Sequence, residues 1–178
     1  MRFRECRKTE QEVVVALFVA VFSDSEGEEE GELIGQLSEE LFESYNEADL
    51  FNFVAEVDGQ IVGSIFLSRM TFENENAVFI LAPVAVGSKH QGKGIGQGLI
   101  KHGLRELQNR GVKFALTYGD PRFYEKVGFR TVSSEVVRPP FMLSQPEGWL
   151  GQSLCDRPIE SLLGDSSCVN ALSNPVYW

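Results

Sequence analysis

Apolar and polar positions change period several times along this chain, and each change marks an element. Residues 2–6 alternate singly and predict a short first strand. The apolar run 13–22 follows Thr9 and Glu12, a Thr-x-x-Glu capping-box pattern, and predicts a helix over about 10–22. Its five valines leave a strand as the alternative. Six acids and two glycines fill residues 24–32 and read as a solvated loop or helix start. An amphipathic helix then runs to about Tyr45, with Leu33, Leu37, Leu41 and Phe42 on one face. Residues 51–57 and 61–70 read as strands joined by Asp58-Gly59-Gln60, a hairpin signal. The nearly all-apolar run 77–86 reads as a central strand buried on both faces. Pro83 lies within it and cannot donate to a ladder, so the strand is expected to lack a normal partner there on one side.

The second half is punctuated by glycine. Residues 87–98 are glycine-rich and lead into a helix ending near Arg110, with Ile95, Leu99, Gly103, Leu104 and Leu107 on its buried stripe. Gly111 takes the preferred C-cap place. Phe114–Tyr118 predicts a fifth strand. Asp120 is placed to N-cap a brief helix with Pro121 in its first turn, and Gly128 ends it. Strands are expected again at 129–137 and near 141–143. The tail from Gly148 shows little periodicity.

Composition narrows the class. A chain of 178 residues that is 43% hydrophobic fits one globular domain, with a core over about 1–147 and an extension over 148–178. Cys6, Cys155 and Cys168 are too few and too scattered for a disulfide framework or a zinc site, so reduced thiols, no metal and a cytoplasmic setting are expected. The run 13–22 is too short for a bilayer, and no secretory signal is visible. The net charge of −10 argues against a nucleic-acid partner. Its distribution is uneven. Residues 87–130 hold nine bases against three acids, whereas residues 1–60 hold four bases against sixteen acids. The first stretch suits an anion and the second a cation.

A strand, a glycine turn and a helix in that order make an anion site. The helix start leaves amide N–H groups unpaired and carries partial positive charge, and Gly92, Gly94 and Gly96 remove side chains that would block access. Lys89 and Lys93 add charge at the rim. The dinucleotide pattern G-x-G-x-x-G fails in both registers. A P-loop pattern is met by Gly87, Gly92 and Lys93, but Gly94 stands where a Ser or Thr would hold Mg²⁺. A third pattern, Gln-x-x-Gly-x-Gly, is met by Gln91, Gly94 and Gly96.

That third pattern resembles the pyrophosphate motif of the GNAT superfamily of N-acetyltransferases. An apolar strand before it, Leu81-Ala82-Pro83-Val84-Ala85-Val86, and a tyrosine four residues before a Gly-Phe pair, Tyr124 with Gly128-Phe129, extend the resemblance. The phrase Gly119-Asp120-Pro121-x-Phe123-Tyr124 looks similar to the small bacterial YhbS-like members. The likeness is sharp over 80–130. It implies an α/β (α+β) fold: a mixed, mostly antiparallel sheet of six to seven strands flanked by about four helices, with strands 4 and 5 splayed.

The resemblance also implies roles. Acetyl-CoA would lie with its pyrophosphate on the amides of Gln91, Gly92, Lys93, Gly94, Ile95 and Gly96. Backbone N–H groups of Val84, Ala85 and Val86 would bond its pantetheine and thioester, and Tyr124 would protonate the leaving thiolate. The acceptor would be a primary amine on a small molecule or peptide, and the acidic stretch 24–32 favours a cationic one. Many relatives dimerise, so a homodimer is a further expectation. Several relatives carry a glutamate on the strand before the glycine motif, and 77–86 has none. Glu73 and Glu75 are expected in the preceding turn, and His90 and His102 read as surface or packing residues. A non-catalytic acyl-CoA-binding module and a nucleotide-binding module using 87–93 stand as alternatives.

Overall fold

The computed structural model describes residues 1–43 and 46–178. Its strands are β1 (Arg2–Glu5), β2 (Leu50–Val57), β3 (Gln60–Phe72), β4 (Glu75–Val86), β5 (Phe114–Tyr118), β6 (Arg130–Thr131), β7 (Trp149–Ser153) and β8 (Ser166–Cys168). Its α-helices are α1 (Gln11–Glu26), α2 (Glu28–Glu43), α3 (Ile95–Asn109) and the single turn α4 (Pro121–Tyr124). Hydrogen-bonded neighbours run β1-β2-β3-β4-β5-β7-β6, with β8 on β3. The sheet is mostly antiparallel, and β4 with β5 is parallel. Its eighth strand comes from the tail. Two compact units share β3, β4 and α3: Met1–Phe66 with Pro83–Gly103, and Leu67–Ala82 with Leu104–Trp178.

In the first unit, Val14, Phe18 and Val21 are buried at helical spacing, so the valine-rich run is a helix. It begins differently from the expected Thr9–Glu12 box. Glu10 instead accepts the Arg7 amide at 2.9 Å, in a 3₁₀ turn over Lys8–Glu10. Arg4 fixes that turn by bonding both oxygens of Glu10 at 2.8 Å and Glu56 at 2.6 Å.

The acidic stretch is not a loop. α1 runs to Glu26, α2 starts at Glu28, and Gly27 at φ 107° is the whole connection. Glu28, Glu29 and Glu30 occupy the first turn of α2, where the helix dipole favours negative charge. The expected helix end near Tyr45 lies outside the described residues. Two glycines let α2 lie close on α1. A Cβ on Gly35 would stand 2.4 Å from Val19, and one on Gly31 would meet the Ser23 hydroxyl and stand 2.8 Å from the Val19 carbonyl. Phe18 and Phe42 both close on the Phe66 ring, at 5.4 and 4.8 Å. Asp58 (φ 50°) and Gly59 (φ 79°) make the expected hairpin.

In the second unit, β5 lies between β4 and β7. The parallel register joins Val78–Leu81 to Phe114–Thr117 and stops there, while β4 runs on to Val86. The late strands differ from expectation. Only Arg130–Thr131 of 129–137 is strand, and 141–143 is irregular, because Pro139 and Pro140 supply no ladder N–H. The strand that pairs with β5 is β7, from the stretch where periodicity is weak. β3 has thirteen residues against eight in β2, and β8 pairs with Met70–Phe72 at its far end.

Alanine is the better helix former by about 1 kcal/mol, yet Gly31→Ala is expected to destabilise the protein by about 1–3 kcal/mol, because the backbone of Val19 and Ser23 stands in the way as well as the Ser23 hydroxyl. A lower urea midpoint checks this.

Candidate active site

The glycine turn opens directly from β4. Gly87 N donates to the Val62 carbonyl at 2.9 Å, ending the strand, and a 3₁₀ turn over Ser88–His90 follows. Gly92 (φ 74°) and Gly94 (φ 75°) are left-handed, where L side chains are strained. No atom lies within 4 Å of a Cβ built on either. The turn is therefore glycine-rich because the backbone requires it, and the space beside it is open. The first helical bond of α3 is Gly98 N to Gly94 O at 3.0 Å, so the amides of Ile95, Gly96 and Gln97 have no carbonyl a turn earlier to meet. Gln91 uses its side chain to donate to Val86 O at 2.9 Å, and Lys93 donates to Lys89 O at 2.9 Å. Both long side chains brace the loop. The loop is also tied to α1, since Ser88 Oγ donates to Asp24 at 2.7 Å. Along the strand before it, Ala85 is buried, and Val84 and Val86 are half-buried.

Tyr124 belongs to the second unit. Asp120 caps α4 by accepting the Arg122 amide at 2.9 Å, as its place in the sequence predicts. Gly128 (φ 101°) ends the following 3₁₀ turn. The Tyr124 ring is held edge-on by Phe123 at 5.1 Å and Phe129 at 5.9 Å. Gly119 is needed beneath it, because a Cβ there would stand 2.8 Å from the ring. The Tyr124 side chain is half-buried. Burial pushes its phenol up from the ordinary value, and the Thr117 hydroxyl acts in the opposite direction. A phenol so placed stays protonated at neutral pH and can act as an acid. Thr117 is wholly buried and was not singled out from sequence, where it is one threonine in a short apolar strand.

Comparison with known proteins identifies the family. Residues 14–129 match the acetyltransferase (GNAT) family. The chain belongs to the GNAT acetyltransferase family. It is 30% identical over 136 residues to the uncharacterized N-acetyltransferase YjhQ of Escherichia coli K12, covering 73% of this chain and 75% of that protein. In fold it is similar to the E. coli GNAT acetyltransferase YhbS, solved in complex with CoA, with a TM-score of 0.81, 22% identity, and 97% and 92% of the two chains covered. It is also similar to a GNAT acetyltransferase of Brucella melitensis solved with acetyl-CoA, with a TM-score of 0.70, 23% identity and 96% of each chain covered.

Against that GNAT frame the acids are informative. Glu75 lies not in a turn but at the start of β4, buried. Its carboxylate is 2.6 Å from Arg157 and 3.1 Å from Lys113, and accepts the Asn76 and Ala77 amides at 3.1 Å. Burial alone would push the carboxyl up, but the Ala77 amide and the Lys113 ammonium outweigh it and hold the group below the ordinary carboxylate range. An acid held there is a poor proton acceptor at neutral pH. Glu73 accepts the Asp165 amide and sits where Gly164 lacks a side chain. Both acids anchor the tail. His102 packs between Phe3 and Phe53, and His90 closes the 3₁₀ turn. Among the described residues no group of three or more His, Cys, Asp or Glu is placed to hold a metal, and no helix is long and apolar enough to cross a membrane.

Glu75→Gln is expected to cost about 1–3 kcal/mol at pH 7. A depressed native pKa adds stability above the unfolded value and loses it as pH falls through the native one, so the gap to wild type should close in acid. Urea midpoints at pH 7 and in the acid range check this.

Proposed function

We propose that this GNAT protein is an acyl-CoA-dependent N-acyltransferase that moves an acetyl group from acetyl-CoA to a primary amine by direct attack. The observation that carries it is the glycine turn: left-handed Gly92 and Gly94 with open space above them, at the start of a helix whose first amides lack partners. The CoA and acetyl-CoA bound to the E. coli and Brucella relatives support the same reading.

When bound, acetyl-CoA supplies a thioester carbonyl whose C–S bond breaks as the amine nitrogen bonds its carbon. The amides of Gln91, Gly92, Lys93, Gly94, Ile95 and Gly96 hold the diphosphate, and the lysines add charge. Gln91 contributes its backbone only, since its side chain is committed to Val86. N–H groups of Val84, Ala85 and Val86 orient the pantetheine and carbonyl, and amide donors aimed at a developing oxyanion are worth about 3–4 kcal/mol. Tyr124 gives its phenolic proton to the leaving thiolate and regains one from solvent. With Glu75 and Glu73 engaged elsewhere, water carries the proton off the attacking amine. Acids in the first turn of α2 favour a cationic small-molecule or peptide acceptor.

A second reading, a non-catalytic acyl-CoA sensor, is favoured by one observation: the carboxylate on β4 is consumed by Lys113 and Arg157. Turnover of acetyl-CoA across a panel of amines separates the two. The enzyme reading expects Tyr124→Phe to lower kcat by roughly 10²–10⁴-fold with the CoA-induced thermal shift intact. Binding without turnover in the wild type over the whole panel would favour the sensor. Gly94→Asp should abolish the CoA-induced shift through bulk and charge; an unchanged shift removes the turn from the site.

A further inference from the structure

We propose that a cleft in the loop between β6 and β7 seats the body of the acceptor, so that the amine acetylated by this protein is carried on an apolar alkyl or aryl skeleton. The inference rests on the reading of Tyr124 as the proton donor and names the substrate class which that reading leaves open. Its first basis is topology. β5 and β6 each pair antiparallel with β7, so they run the same way and end together where β7 begins. Tyr118 stands opposite Trp149, and Thr131 opposite Leu150. The segment 119–129, which carries α4, and the loop 132–148 therefore leave the sheet at one end. The two segments meet there. Gly119 N donates to the Gly148 carbonyl at 2.9 Å, and a Cβ on Gly148 would stand 3.0 Å from the Gly119 carbonyl. Gly119 is the residue beneath the Tyr124 ring. Pro146 begins the 3₁₀ turn Pro146–Gly148 and also lines the cleft, which therefore starts within one turn of that contact.

The lining sets the chemistry. The cleft has a volume of about 410 Å³, within the roughly 300–1,000 Å³ of small-molecule sites. Pro139, Pro140, Phe141, Met142, Leu143 and Pro146 line it, beside Ser134 and the pair Arg138 and Asp165. Arg138 meets Asp165 at 3.1 Å, so the charged part of the wall is neutral as a pair. Neither a phosphate nor a polycation finds an uncompensated charge on it. The prolines bring no N–H, which leaves a hydroxyl-rich skeleton short of donors. Met142 is 92% exposed, and an apolar body laid against it removes that surface from water.

The loop is irregular, yet it is fixed at several points. The Tyr118 hydroxyl accepts the Gln145 amide at 2.7 Å and bonds Ser144 Oγ at 2.9 Å. Trp149 is wholly buried and donates through Nε1 to the Val137 carbonyl at 2.8 Å. Ser166 Oγ donates to the Arg138 carbonyl at 2.6 Å, and the Phe141 ring lies 6.1 Å from that of Trp178. β5, β7 and the tail thus hold apolar side chains in place at an open surface. A wall fixed in advance loses little further freedom when a ligand arrives.

The test measures binding to the CoA-saturated protein by calorimetry, beside kcat/KM with acetyl-CoA. Its probes are primary n-alkylamines from ethyl to hexyl, phenylethylamine and spermidine. Affinity and kcat/KM are expected to rise about 3- to 4-fold per methylene, with spermidine at the weak end. Met142→Ser is expected to flatten that rise in both measurements. Because Met142 is so exposed, the variant should keep the wild-type urea midpoint. No dependence on chain length, spermidine as the best acceptor, or a rise unmoved by Met142→Ser overturns the proposal. Chain-length-dependent binding with no turnover of any amine would remove the enzyme reading and leave the cleft as a site for apolar amines. Full activity in Tyr124→Phe would remove the acid reading, and the binding series would still report on the cleft.

Discussion

The parallel ladder between β4 and β5 stops at Leu81 and Thr117, and β4 runs on past that stop to Val86. Two residues further along β4, Pro83 has no N–H to continue a ladder. The Leu81 carbonyl takes the Thr117 hydroxyl, a side chain standing in for the backbone donor a longer pairing would bring. The end of regular pairing is thus built from a threonine, a carbonyl and a proline.

In the other unit, glycine does two different jobs. At Gly92 and Gly94 it allows a left-handed backbone with open space beyond, which is what an anion approaching amides requires. At Gly31 and Gly35 it is a spacer, letting α2 press against α1 with no side chain between. α1 is then held to the turn by Asp24 and Ser88, so the helix pair and the glycine turn share a contact.

The most legible parts of the sequence were those whose physics is local. The Asp58-Gly59 hairpin, β5, the Asp120 cap and the Gly111 and Gly128 helix ends follow from turn chemistry and periodicity, and the structure has them close to the expected residues. The acidic stretch 24–32 left a solvated loop and a helix start open, because charge looks the same on both; the structure has the helix start, with Gly31 and Gly35 facing Val19 and Ser23. β7 was not legible. It has five residues, and Gly151 lies at its centre because a Cβ there would stand 2.8 Å from Ile159. Its strand character comes from β5 and β6 on either side. Glu75 and Thr117 were opaque as roles for the same reason: Arg157 comes from 82 positions away and Leu81 from 36.

The position of β7 has a consequence for biosynthesis. β5 is complete by Tyr118, but its neighbour on one side comes from residues 149–153, and β6 pairs with β7 rather than with β5. A nascent chain emerging amino end first therefore carries β5 with a bare hydrogen-bonding edge for some thirty residues of translation. Bare edges recruit other strands, so misassembly is a hazard during this interval. The segment that looks least structured on paper is the one that seals the sheet.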